Sequence, residues 1–208
     1  MATEGNAVTR AYGALREKIR RGELKPGRKL SQRKVAAELK CSTIPVCEAM
    51  RRLESEGLLV KEPSKMARIR VLSSGELRGL YLVREGLESA AIRLCIEAIT
   101  DDEVVAIQEI GRQLDQATVQ KDTEAIARLD MEFHQFLVRC ARCPLLEEEI
   151  DRLLLIEKTA GRKEPAGDFQ KPQSHRGLIQ AISDRDAELA EYLMRRHIQH
   201  GYQELMNL

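Results

Sequence analysis

Four side chains in this 208-residue chain have the types and spacing to do chemistry: Asp130, His134, His175 and His197. Asp130 and His134 are four residues apart and share one face of a helix. Ile126, Leu129, Phe133 and Leu137 accompany them at helical spacing, which makes that face the core-facing one. His175 precedes Leu178 and Ile179 by one turn, and His197 lies among Leu189, Leu193 and His200. The sequence places a turn near Asp184–Asp186, about eleven residues after His175 and about eleven before His197. Residues equidistant from the turn of an antiparallel helix pair lie level with each other, so three helices can bring one carboxylate and three imidazoles to a point. A buried carboxylate without a partner costs several kcal/mol, and clustered imidazoles need something to take up their lone pairs. One histidine alone reads as a satisfied core residue. Three of the chain's four, with an aspartate, read as a divalent-metal site. The donor set suits Zn, Ni, Mn, Fe or Co and leaves coordination positions open.

The elements that must position these groups are helices. From Ser74 onward the periodicity predicts six, near 74–98, 101–120, 122–141, 144–160, 172–183 and 186–206. Asp101, Asp122 and Asp184 stand near helix starts, Pro144 opens the fourth helix, and Gly161–Lys171 reads as a loop. In the first of these helices Leu77, Leu80, Leu87, Ala91 and Leu94 form an apolar stripe that includes Arg84. A guanidinium on a core face needs an anion. That anion is either an effector carboxylate held in a bidentate clamp or an internal ion-pair partner, unless the side chain snorkels to the rim.

The N-terminal third has another character. Residues 1–72 hold 17 Lys+Arg against 8 Asp+Glu, and residues 73–208 hold 17 against 25. The first part is therefore basic and suited to a polyanion, although the whole chain carries only +1. Val8–Arg21 reads as a helix, followed by a turn at Glu23–Gly27, a short helix capped by Ser31, and a helix capped by Ser42 that tolerates Pro45 in its first turn. Leu58–Val60 and Ile69–Leu72 alternate like strands around the turn Glu62–Lys65. That order is a winged helix-turn-helix, whose second helix enters the major groove. Lys34, Lys40, Arg51, Arg52, Lys65, Arg68 and Arg70 are candidate phosphate contacts. The fold class is thus mainly α, with a DNA-binding domain at 1–72 and an all-helical, antiparallel bundle for metal, effector and dimerisation at 73–208. Five scattered cysteines form no disulfide framework, and Cys140/Cys143 lack a second ligand pair. No run approaches the ~20 apolar residues of a membrane span, and no secretory leader is read at the start. A cytoplasmic protein is expected.

The stretch from Gly22 to Leu59 resembles the GntR family of bacterial regulators, through Leu24, Pro26, Gly27, Leu30, Ser31, Arg33, Ala36, Leu39, Ser42, Pro45, Val46, Glu48, Ala49, Leu53, Glu54, Gly57 and Leu58. The resemblance implies that Arg33, Ser42 and the residues after it, Thr43, Pro45 and Cys47, face DNA. Thr43 and Cys47 stand where the family usually has arginines, and neither can make a bidentate contact to guanine. Residues 74–206 resemble the FCD effector domain of the FadR subgroup, in its six-helix, VanR-like branch. The family's Asp-x-x-x-His motif falls on Asp130 and His134, and its later histidines on His175 and His197. The resemblance implies a metal at the floor of a pocket that takes a small organic acid.

The expectation is a homodimeric repressor of a double-stranded DNA operator, not an enzyme, whose affinity a carboxylate effector modulates at the metal site. The alternatives are a sensor of the metal itself and a metal-dependent hydrolase. The hydrolase would lack a general base beside the four ligands and would leave the basic module unexplained.

Overall fold

A computed structural model describes residues 2–62, 66–160 and 175–206. The chain divides into two compact units, one of residues 1–77 with 155–162, the other of residues 78–154 with 163–208.

In the first unit α1 (Ala2–Arg20) packs on α3 (Thr43–Ser55), and α2 (Gln32–Glu38) also packs on α3. The buried stripe of α1 is Ala11, Leu15 and Ile19. Tyr12 sits at the rim of that stripe, where its hydroxyl donates to Glu56 and accepts from Arg16 Nη1 at 2.7 Å. Lys40 holds a left-handed φ of 51° at the turn between α2 and α3. Ser31 and Ser42 cap α2 and α3 in extended conformation, without side-chain cap hydrogen bonds. The wing is a three-stranded antiparallel sheet in the order β1 (Lys29–Ser31), β3 (Met66–Ile69), β2 (Leu59–Glu62). The expected hairpin is present, but its second strand lies earlier than 69–72, because β3 must pair with both neighbours and sets Leu30 opposite Ala67. Strand β1 was not anticipated; three residues are too few for alternation to show.

The second unit holds most of α4 (Ser74–Ala98) and α7 (Pro144–Glu157), with all of α5 (Asp101–Gln120), α6 (Thr123–Cys140), α8 (Arg176–Ser183) and α9 (Ala187–Met206). These are the six helices expected. The expected loop at 161–171 and the first residues of the expected fifth helix, 172–174, lie outside the described residues. Helices α5 and α6 pack together, as do α8 and α9, and α5 meets α8. At Gly111 on α5 a Cβ would stand 2.3 Å from Ile179 Cδ1 on α8, so this position has no room for a larger residue. That contact seats α8, whose N-cap is His175. Thr100 caps α5 in a reciprocal box with Glu103, and Asp122 caps α6 through Ala125 N. The start of α9 is capped by Asp186, which accepts from Leu189 N at 3.0 Å. Asp184, expected there, instead ends α8 and accepts from Gln180.

Candidate metal centre and nucleic-acid interface

The four chemically capable side chains converge. Asp130 and His134 come from one face of α6, His175 from the cap of α8, and His197 from the middle of α9. Asp130 Oδ1 is the common point, 3.3 Å from His175 Nε2, 3.8 Å from His197 Nε2 and 3.9 Å from His134 Nε2. His134 Nε2 and His197 Nε2 face each other at 3.2 Å. Among the described residues, Asp130, His175 and His197 each place one ligand atom within 4.8 Å of the others. Two ligand atoms about 2.0–2.1 Å from one ion stand about 3.0–3.4 Å apart at octahedral or tetrahedral angles. Two of the separations fall in that range, and the other two exceed it by less than 1 Å. His175 Nε2 is buried with no well-directed hydrogen bond, and an unsatisfied ring nitrogen aimed at a carboxylate is what a cation would resolve. The residues therefore fit a divalent ion.

Electrostatics agree. The surrounding protein mass works against charge on Asp130, but the close contact with His175 and the nearby imidazoles outweigh it and hold the carboxyl well below its usual range. Burial, followed by the His175 and His134 imidazoles, pushes His197 well below an ordinary histidine. Its ring is thus neutral near pH 7, with a lone pair to give. Phe133, fully buried, closes one side by an edge contact to His175 at 4.5 Å between centroids. The Asp130 side chain keeps 41% of its surface exposed and His197 19%, against 2% for His134 and 6% for His175.

Behind His134 lies a residue that the sequence did not single out. Glu88 on α4 is buried and touches His134 Nδ1 through Oε2, while its Oε1 accepts from Arg84 Nε at 2.7 Å. Burial pushes the Glu88 carboxyl up, but Arg84 and His134 overcome it and hold it at about 2. Burial lowers the His134 pKa, yet the Glu88 charge raises it on balance. Arg84 also lies over the Tyr81 ring at 5.3 Å. Of its two expected partners, the internal one is found. The carboxylate–imidazole contact turns His134 Nε2 toward the cluster. The signal for Glu88 was present as a charged i, i+4 pair with Arg84 inside a buried stripe.

The DNA-facing candidates lie on the first unit. Arg33, Ser42, Thr43 and Arg51 are exposed; Arg51 pairs with Glu48 at 3.5 Å. Arg68 is exposed on β3 and pairs with Glu62 at 2.7 Å. Cys47 is half-buried and takes a contact from Gln32 Nε2 at 3.5 Å. Pro45 corrects the expectation: it is buried with Val46, Ala49, Met50 and Leu53, so it starts α3 and packs inward rather than meeting DNA. Lys65 lies outside the described residues.

A winged helix-turn-helix in one unit and six helices with a convergent polar centre in the other define the architecture of a transcription regulator. Residues 7–69 match the family "bacterial regulatory proteins, gntR family", and residues 79–200 match the FCD domain. The chain is 27% identical over 194 residues to the HTH-type transcriptional repressor RspR of Escherichia coli K12, covering 90% of this chain and 84% of that one. It is 36% identical over 137 residues to an uncharacterized HTH-type transcriptional regulator in the TAR-I ttuE-ttuC' intergenic region of Agrobacterium vitis, covering 64% and 80%. Among solved structures, E. coli McbR/YncC superposes with a TM-score of 0.86 over 97% of each chain at 24% identity. The chain belongs to the GntR family, in its FCD-domain group, and is a transcription regulator rather than an enzyme. Among the described residues no helix is long and apolar enough to cross a membrane.

Proposed function

We propose that this regulator is a homodimeric, cytoplasmic repressor that binds a divalent ion through Asp130, His134, His175 and His197 and answers to a small carboxylate effector at that ion. The observation that carries the reading is the convergence of three Nε2 atoms on Asp130 Oδ1, with separations of 3.3–3.9 Å. The ion supplies Lewis acidity for an effector carboxylate. His134 and His175 are enclosed, so an acid reaches the centre past Asp130 and His197. Arg84 is engaged by Glu88, which leaves the effector carboxylate to the ion's open positions. Effector binding changes operator affinity only if it favours one packing of the helices over another.

A second copy has a surface to meet. On α4, Leu82 is 59% and Val83 50% exposed, and Gly79, Gly86 and Ala90 lie exposed beside them at helical spacing. No atom would stand within 4 Å of a Cβ added at Gly79 or Gly86. Such an open, small-residue, apolar face favours close approach of an identical helix. Val83→Glu is expected to yield a monomer by analytical ultracentrifugation and to weaken operator binding at least about a hundredfold, because the two half-sites are no longer linked.

The deciding experiment is a gel-shift titration of operator DNA with hydroxy- and dicarboxylic acids, using metal-loaded and metal-stripped protein. Release of DNA only when acid and metal are both present is the expected result. Metal dependence with no response to any acid would favour the ion itself as signal. No response to either would end the switching proposal.

A further inference from the structure

The exposed face at the start of α3 is poor in the groups that usually read bases. Positions 43, 44, 47, 48 and 51 recur at helical spacing and share that face, while Pro45, Val46, Ala49 and Met50 point into the core. Its first turn carries Ser42, Thr43 and Ile44, all exposed. Cys47 follows, half-buried, and then Glu48, which is paired with Arg51. Guanine is held by Arg or Lys and adenine by Asn or Gln, each through two hydrogen bonds. None of these residue types occurs from Ser42 to Glu48, and Gln32 directs its amide to Cys47 Sγ.

Ile44 is 71% exposed. A lone surface isoleucine is ordinary elsewhere, but here it occupies the helix turn that reaches base edges in this motif. Arg33 and Lys34 on α2, Lys40 in the turn, and Arg51 and Arg52 on α3 are exposed, and they are suited to phosphates. The only apolar group that B-DNA offers in the major groove is the thymine C5-methyl. We infer that Ile44 is a specificity residue that seats against thymine methyl groups, with the Thr43 methyl beside it, so that the operator half-site carries thymine under the start of α3. This rests on the reading of α3 as the DNA-inserted helix.

The test begins with selection of preferred duplexes from a random pool by the full-length protein. Each thymine fixed in the selected half-site is then replaced by deoxyuridine, which removes the methyl and nothing else. The wild type is expected to lose about fourfold in affinity for each methyl that Ile44 buries. Ile44→Ala is expected to bind the thymine and uracil duplexes alike, and Ile44→Val to keep most of the discrimination. Because the side chain is exposed, all three proteins should share one helical circular-dichroism spectrum. Equal binding of both duplexes by the wild type overturns the inference, as does undiminished discrimination by Ile44→Ala. Failure to select any duplex would overturn the DNA reading itself, which distinguishes the two.

Discussion

Glu88→Ala is expected to destabilise the helical unit by about 3–5 kcal/mol, the cost of leaving a buried charge without its partner. The size follows from what Glu88 does. One buried carboxylate neutralises a buried guanidinium on its own helix and a buried imidazole on α6. Removing it takes away the carboxylate that both groups contact. Replacing both charges together, as Arg84→Met with Glu88→Met, is expected to bring stability back close to wild type, since buried pairs are often matched by well-packed apolar residues. Thermal or urea unfolding of the two singles and the double measures the coupling. A single-variant loss below about 1 kcal/mol, the level of a surface pair, would show that the contact is incidental. Glu88→Gln adds a pH signature. The folded carboxyl is held at about 2, below the unfolded value of about 4.3. The stability it contributes is therefore fully present above about pH 4.3 and is lost as pH falls toward 2. The penalty of Glu88→Gln should shrink over that window. The same variant is expected to weaken metal binding by about 10–100-fold, as outer-shell partners of ligating histidines do, read by competition with a chromophoric chelator.

Much of the frame and the site could be read from residue order. Apolar periodicity located six helices after Ser74 because each buries one face, and a turn that Asp186 caps set His175 level with His197, now 4.5 Å apart between ring centroids. The first helix of the bundle was less legible. Its apolar letters suggested a stripe through Leu87 and Leu94, yet Leu94 is 38% exposed and Leu87 half-buried. The buried face runs through Leu77, Leu80, Tyr81, Arg84, Glu88, Ala91, Ile92 and Cys95. Two charged residues interrupt that face, and a charged i, i+4 pair reads equally well as a solvated surface bridge. Only the position of His134, contributed by a different helix, tells the two apart. Pro45 failed for the converse reason. A helix-starting proline is compatible with either face, and the packing of α3 against α1 and α2 turned it inward.

Asp130→Ala should remove the metal response altogether. Asp130 is the one anionic group among the four proposed ligands, and its Oδ1 is the atom that all three imidazoles approach. Outer-shell changes already weaken metal sites by 10–100-fold, so loss of this donor should exceed roughly a hundredfold. In wild-type protein, metal at about a hundred times its dissociation constant adds about 2.7 kcal/mol to stability. For a unit of this size that raises the melting temperature by roughly 5–10 °C. The shift should reverse with a chelator. At the same metal concentration Asp130→Ala should show almost none of it. The head is a separate compact unit, so the variant should still bind operator DNA, indifferent to metal and to organic acids. That combination, intact DNA binding with a lost thermal shift, separates a broken sensor from a broken fold. A thermal shift of wild-type size in Asp130→Ala would mean that the ion binds elsewhere, and the convergence of the three histidines would then need another cause.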